Sequence, residues 1–114
     1  MELTAANQPE REHKLLRHVV LFSWKPETTQ ETIAKIVSAF SRLPDKIWEI
    51  HDFEWGTDVS VEGLAKGMSH CFLVSFTSEQ DRDVYLPHPV HEEFVAMIQP
   101  HLQDVLVFDY WQRS

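Results

Sequence analysis

Residues 17–25, RHVVLFSWK, decide the fold. The run is dense in β-branched and aromatic side chains and is closed by Pro26, which is how a buried strand reads. Strand alternation puts His18, Val20, Phe22 and Trp24 on one face and Val19, Leu21 and Ser23 on the other. Both faces are largely apolar, so the sheet that holds this strand must be covered on both sides. A short chain with few helices covers one side itself; a second subunit is the natural cover for the other, which predicts a homodimer.

Working outward, Thr28 and Glu31 have capping-box spacing, and Ile33, Ile36, Val37, Phe40 and Leu43 then recur at helical intervals up to Pro44. A second strand reads over residues 47–55 and closes at Gly56, before the polar loop TDVSVEGLAKG. In a third strand, residues 68–77, His70, Phe72, Val74 and Phe76 oppose Cys71, Leu73 and Ser75. Ser78 and Asp81 open a second helix that Pro87 and Pro89 split. Its later part carries His91, Phe94, Val95, Ile98 and Leu102 on one stripe, with Pro100 as a stop, and residues 105–111, VLVFDYW, form the last strand. The order β-α-β-β-α-β is the α+β, ferredoxin-like split βαβ pattern. One domain over residues 17–114 is expected, behind a flexible polar leader of residues 1–16.

A formal charge of −8 without any basic stripe argues against a nucleic-acid partner. No apolar run approaches a membrane span of about 20 residues, and the leader lacks a secretory apolar core, so a cytoplasmic protein is expected. The single cysteine, Cys71, reads as a small buried hydrophobe. Neither a Gly-rich phosphate loop nor a Gly-x-Ser-x-Gly elbow is present, and no cofactor is expected.

Five motifs taken in order, RHVVLF, WGTDV, GMSH, YLPHPVHEEF and VFDY, resemble the stress-responsive dimeric A/B barrel domain family, which includes plant heat-stable proteins and a plant polyketide cyclase. The resemblance spans roughly residues 17–110 and implies a homodimer whose two four-stranded sheets face each other as a dimeric α+β barrel, helices outside. The stretch between Pro44 and Trp55 is longer than expected for the cyclase. Membership implies no activity by itself, because one fold hosts many functions.

Strand parity places His18 and His70 toward the monomer's own helices, while Tyr85 and His91 lie on inward stripes of the split helix. These four groups are expected to converge in an apolar cleft between sheet and helices. By resemblance, Tyr85 and His91 match the catalytic pair of the cyclase, and His18 and His70 match histidines that line its pocket. A neutral imidazole at His91 would remove a proton from an activated carbon, and the Tyr85 phenol would hydrogen-bond the developing enolate oxygen.

The competing reading is structural: PHPVH starts a helix, its prolines fixing the turn and its histidines bonding backbone in a non-catalytic, very stable stress-associated dimer. A core closed at His91 would favour it. The spacing of His88, His91 and Glu92 also permits a metal site, but the proline break at His88 argues against one and no metal is expected. Fold analogy adds quinol or heme-type monooxygenases as a third possibility. Trp24, Trp55 and Trp111 read as packing, and His13, His51 and His101 carry no signal.

Overall fold

The computed structural model describes residues 14–113. Residues 1–13, most of the expected leader, lie outside the described residues. Strand β1, Leu16–Trp24, begins one residue before the expected domain boundary. It is followed by α1 (Gln30–Ser41), α2 (Leu43–Lys46), β2 (Asp52–Thr57), β3 (His70–Phe76), α3 (Glu79–Tyr85), α4 (Pro89–Ile98), a 3-10 turn (Gln99–His101) and β4 (Leu102–Trp111). The sheet order is β2-β3-β1-β4, with each neighbouring pair antiparallel. This is the predicted ferredoxin-like arrangement, with both of its helices in two pieces.

The boundaries correct several expectations. Thr28 does not cap the first helix: its hydroxyl donates to the His101 carbonyl, and Thr29 accepts from the Thr32 amide at 3.1 Å instead. Pro44 does not end that helix but sits near the start of α2, where its missing N–H is not needed. Residues 47–51 are not strand. Ile47 and Ile50 are buried anchors of a turn, and Gly56 lies inside β2, paired with Cys71. Leu102 starts β4 instead of closing the helical stripe. The Ser78 cap is as expected, accepting from the Asp81 amide at 3.0 Å.

The core lies on one face of the sheet. Val20, Phe22, Phe72, Val74 and Phe76 are buried against Ile36, Phe40 and Leu43 from α1–α2 and against Tyr85, Phe94 and Ile98 from α3–α4. Fully burying each such side chain is worth about 1.5–3 kcal/mol, so this face supplies most of the drive to fold. The opposite face carries Val19, Leu21, Cys71 and Leu73, all half-buried, beside Leu106, Phe108 and Tyr110 of β4, which are 47%, 60% and 44% exposed. Cys71 is therefore not a core residue. Burial and the nearby Glu54 push its thiol up. Within the described residues, no helix is long and apolar enough to cross a membrane.

Candidate functional site

The proline break between α3 and α4 builds the site. Pro87 and Pro89 have no N–H to donate, so the chain turns after Leu86 and begins a new helix with His88 as its cap. The Val90 amide, four residues beyond Leu86, donates to His88 Nδ1 at 3.1 Å, which leaves the Leu86 carbonyl to accept from His91 Nδ1 at 2.8 Å. That bond assigns the tautomer. A neutral His91 carries its proton on Nδ1 and presents a lone pair at Nε2.

Tyr85, the last residue of α3, packs its ring against His91 with centroids 4.3 Å apart and edge-on to His18 at 5.9 Å. Its side chain is fully buried, and its hydroxyl is the one buried side-chain polar atom without a hydrogen-bond partner among the described residues. An unmatched buried hydroxyl costs about 1–3 kcal/mol. Burial pushes the phenol well above its ordinary range, so it remains a donor at neutral pH. Burial pushes His91 below the ordinary imidazole range, opposed in part by the Leu86 carbonyl, so its neutral, proton-accepting form is favoured.

These groups line a cavity of about 370 Å³ between the sheet and α3–α4. His18, Tyr85, His91 and Asp109 gather toward one end, and Phe22, Phe94, Ile98, Leu102 and Val105 supply apolar wall toward the other. The core is not closed at His91. On the inward face of β4, Val105 and Val107 line this cavity and are 45% and 54% exposed.

His70 is set apart from the other three expected residues. Parity puts it on the predicted face, but it pairs with Phe22, whereas His18 pairs with Val74 four positions away. There it accepts from Trp24 Nε1 at 3.1 Å and lies 2.8 Å from Ser69 Oγ, outside the cavity wall. Two residues had no place in the sequence reading of the site. Asp109 Oδ1 lies 2.7 Å from His18 Nδ1, and Asp109 Oδ2 accepts from Arg82 Nη1 at 3.3 Å. The available signal was a lone carboxylate with inward parity on an apolar strand. Within the described residues, no three of His, Cys, Asp and Glu are grouped to hold a metal ion, and His88 is engaged as a helix cap.

The lowered His91 and His70 carry a pH signature. Between their folded values and the ordinary value of 6.5, the unfolded chain binds more protons, so stability rises with pH across that window. Their contribution is complete above about pH 6.5 and is lost as pH falls through the folded values. Urea unfolding should therefore show lower stability at about pH 5.5 than at about pH 7.5, and His91→Gln, which does not titrate, should narrow the difference. Equal or greater stability at the lower pH would contradict the assignment.

The fold and the site together define a ferredoxin-like α+β domain with a ligand-sized, largely apolar cavity on the helix side of its sheet. The chain belongs to the stress-responsive A/B barrel domain family (Dabb), whose family model matches residues 16–112. It is 36% identical to the stress-response A/B barrel domain-containing protein HS1 of Arabidopsis thaliana, over 83% of this chain and 87% of that one. Olivetolic acid cyclase of Cannabis sativa is 26% identical, over 87% of this chain and 98% of the cyclase. Among solved structures, hydroxynitrile lyase from Passiflora edulis superposes with a TM-score of 0.82 at 26% identity, covering 88% and 94% of the two chains. A dimeric ferredoxin-like protein of unknown function from Thermobifida fusca superposes with a TM-score of 0.73 at 28% identity, covering 87% and 92%.

Proposed function

We propose that this chain is a small-molecule enzyme that moves a proton next to a carbonyl group, with His91 as the base and Tyr85 as the hydrogen-bond donor to the oxygen. The observation that carries the reading is the buried Tyr85 hydroxyl, unpaired at the wall of an apolar cavity and packed against a histidine whose Nε2 is an acceptor. A ligand carbonyl would satisfy the phenol. His91 Nε2 would take the α-proton, the electron pair would pass to the carbonyl oxygen as an enolate, and Tyr85 would hydrogen-bond that charge. The enolate carbon then either takes that proton back from the imidazolium, which is exchange, or attacks a second carbonyl, whose oxygen receives the electron pair of its broken π bond and then the proton from the imidazolium, as a cyclisation requires. Two relatives are named for a reaction, an olivetolic acid cyclase and a hydroxynitrile lyase, which supports a small-molecule reaction in this cavity.

Proton NMR in D₂O tests this directly. An aryl methyl ketone should lose its methyl α-proton signal faster with the protein than without it, and should raise the melting temperature. A panel of enolisable ketones with neither effect would leave the non-catalytic, stable-dimer reading, which the backbone hydrogen bonds of His88 and His91 favour.

We also propose that the chain is a cytoplasmic homodimer closed over the outer sheet face. The half-exposed Leu106, Phe108 and Tyr110 support this, as does the dimeric relative from Thermobifida fusca. Leu73→Glu would place an unpaired carboxylate in that contact, at a cost of several kcal/mol per ion. Sedimentation should give a species near 13.4 kDa for the variant and near twice that for the parent. An unaltered dimer in Leu73→Glu would place the interface elsewhere.

A further inference from the structure

We propose that Asp109, anchored by Arg82, is a positioning residue that fixes His18 with its Nε2 lone pair available to the cavity, and that the site thereby selects carbonyl compounds carrying a hydroxyl group. The ligand half of this proposal rests on the reading of the cavity as a carbonyl site; the orientation of His18 does not.

His18 is buried on β1, and Asp109 is its register partner on β4. A carboxylate only accepts, so the 2.7 Å contact requires the proton to sit on His18 Nδ1. The second carboxylate oxygen is engaged by Arg82 from α3, the helix that ends in Tyr85, and Arg82 Nε also donates to Asp83 at 3.1 Å. Three elements thus fix one imidazole, because rotating Asp109 to free it breaks a charge-assisted bond to a guanidinium. With Nδ1 committed, a neutral His18 has only Nε2 left, and that atom is an acceptor.

The resulting map of the polar end is specific. His18 Nε2 and His91 Nε2 accept, and the Tyr85 hydroxyl donates. A simple ketone satisfies Tyr85 alone. A hydroxylated ketone also supplies a hydrogen to His18 Nε2, leaving His91 Nε2 for the α-proton, while its apolar body lies along Val20, Phe94 and Val107. An analogue that lacks the hydroxyl would cover the His18 lone pair without matching it, which penalises its binding.

The test is the histidine nitrogen NMR spectrum of ¹⁵N-labelled protein above the ordinary imidazole titration range, with the His18 signals assigned by their loss in His18→Gln. In the parent, Nδ1 should appear at the protonated position and Nε2 at the unprotonated one. In Asp109→Asn the proton should shift toward Nε2, and Arg82→Gln, which leaves the carboxylate in place, should show a partial shift. An Nε2–H or doubly protonated ring in the parent, or an unchanged tautomer in Asp109→Asn, overturns the positioning role. For the ligand, 3-hydroxyacetophenone should bind the parent about tenfold more tightly than its methyl ether, the scale of one net hydrogen bond, and Asp109→Asn should abolish that preference. Equal affinities in the parent overturn the selectivity. Failure of both ketones to bind, with the tautomer as expected, overturns the ligand half and the carbonyl reading together while the positioning role stands.

Discussion

The His91→Ala protein is expected to exchange the α-protons of a bound aryl methyl ketone about 10²–10⁴-fold more slowly than the parent, the usual worth of a positioned general base. The argument starts from the proline break. It strands the Leu86 carbonyl, which accepts a hydrogen bond from the Nδ1–H of His91 and leaves Nε2 as the accepting atom. Burial then favours the neutral ring. Removing the imidazole deletes the proton acceptor but leaves the apolar walls, so kcat should fall far more than KM changes. A rate equal to that of the parent would remove His91 from the chemistry, and a loss confined to KM would make it a binding residue.

Phe72→Ala is expected to destabilise the fold by about 3–5 kcal/mol, a large share of the roughly 5–15 kcal/mol that holds a domain together. Phe72 is wholly buried on β3, stacked on Phe40 at 4.4 Å and tilted against Phe22 at 5.4 Å. Its removal opens a cavity that three surrounding elements cannot collapse to fill. Urea unfolding should show a lower midpoint at unchanged slope, and Phe72→Leu, which keeps more of the volume, should lose less. Because Phe72 does not line the ligand cavity, the ketone preferences of the folded fraction should persist. A cost below about 1 kcal/mol would mean that the aromatic cluster is not the centre of the core.

The strands were legible where period-two alternation is local. RHVVLFSW carries its own parity, and both His18 and Phe22 face inward as read. Parity assigns a face, however, and not a level along the strand. His70 shares the face of His18 but sits at the level of Phe22, because register depends on pairing between distant segments. Asp109 was illegible for the same reason: its partners are 91 and 27 residues away in the chain, and nothing beside it in VFDY marks it as paired. The turn at Ile47 and Ile50 was misread as strand because two buried apolar anchors resemble a strand in composition, whatever their backbone does. The split of the second helix was legible because proline acts on its own neighbours.

The central claim is that the unpaired Tyr85 hydroxyl is held for a ligand, and thermal melts of the parent and Tyr85→Phe, each with and without a hydroxylated aryl ketone, test it most directly. Deleting a buried hydroxyl that has no partner removes a desolvation cost, so the ligand-free variant should melt higher than the parent, by roughly 4 °C for about 1 kcal/mol. Its response to the ketone should be small or absent, whereas the parent should be stabilised. A Tyr85→Phe protein that melts lower than the parent, yet is stabilised by the ketone to the same extent, would contradict the account.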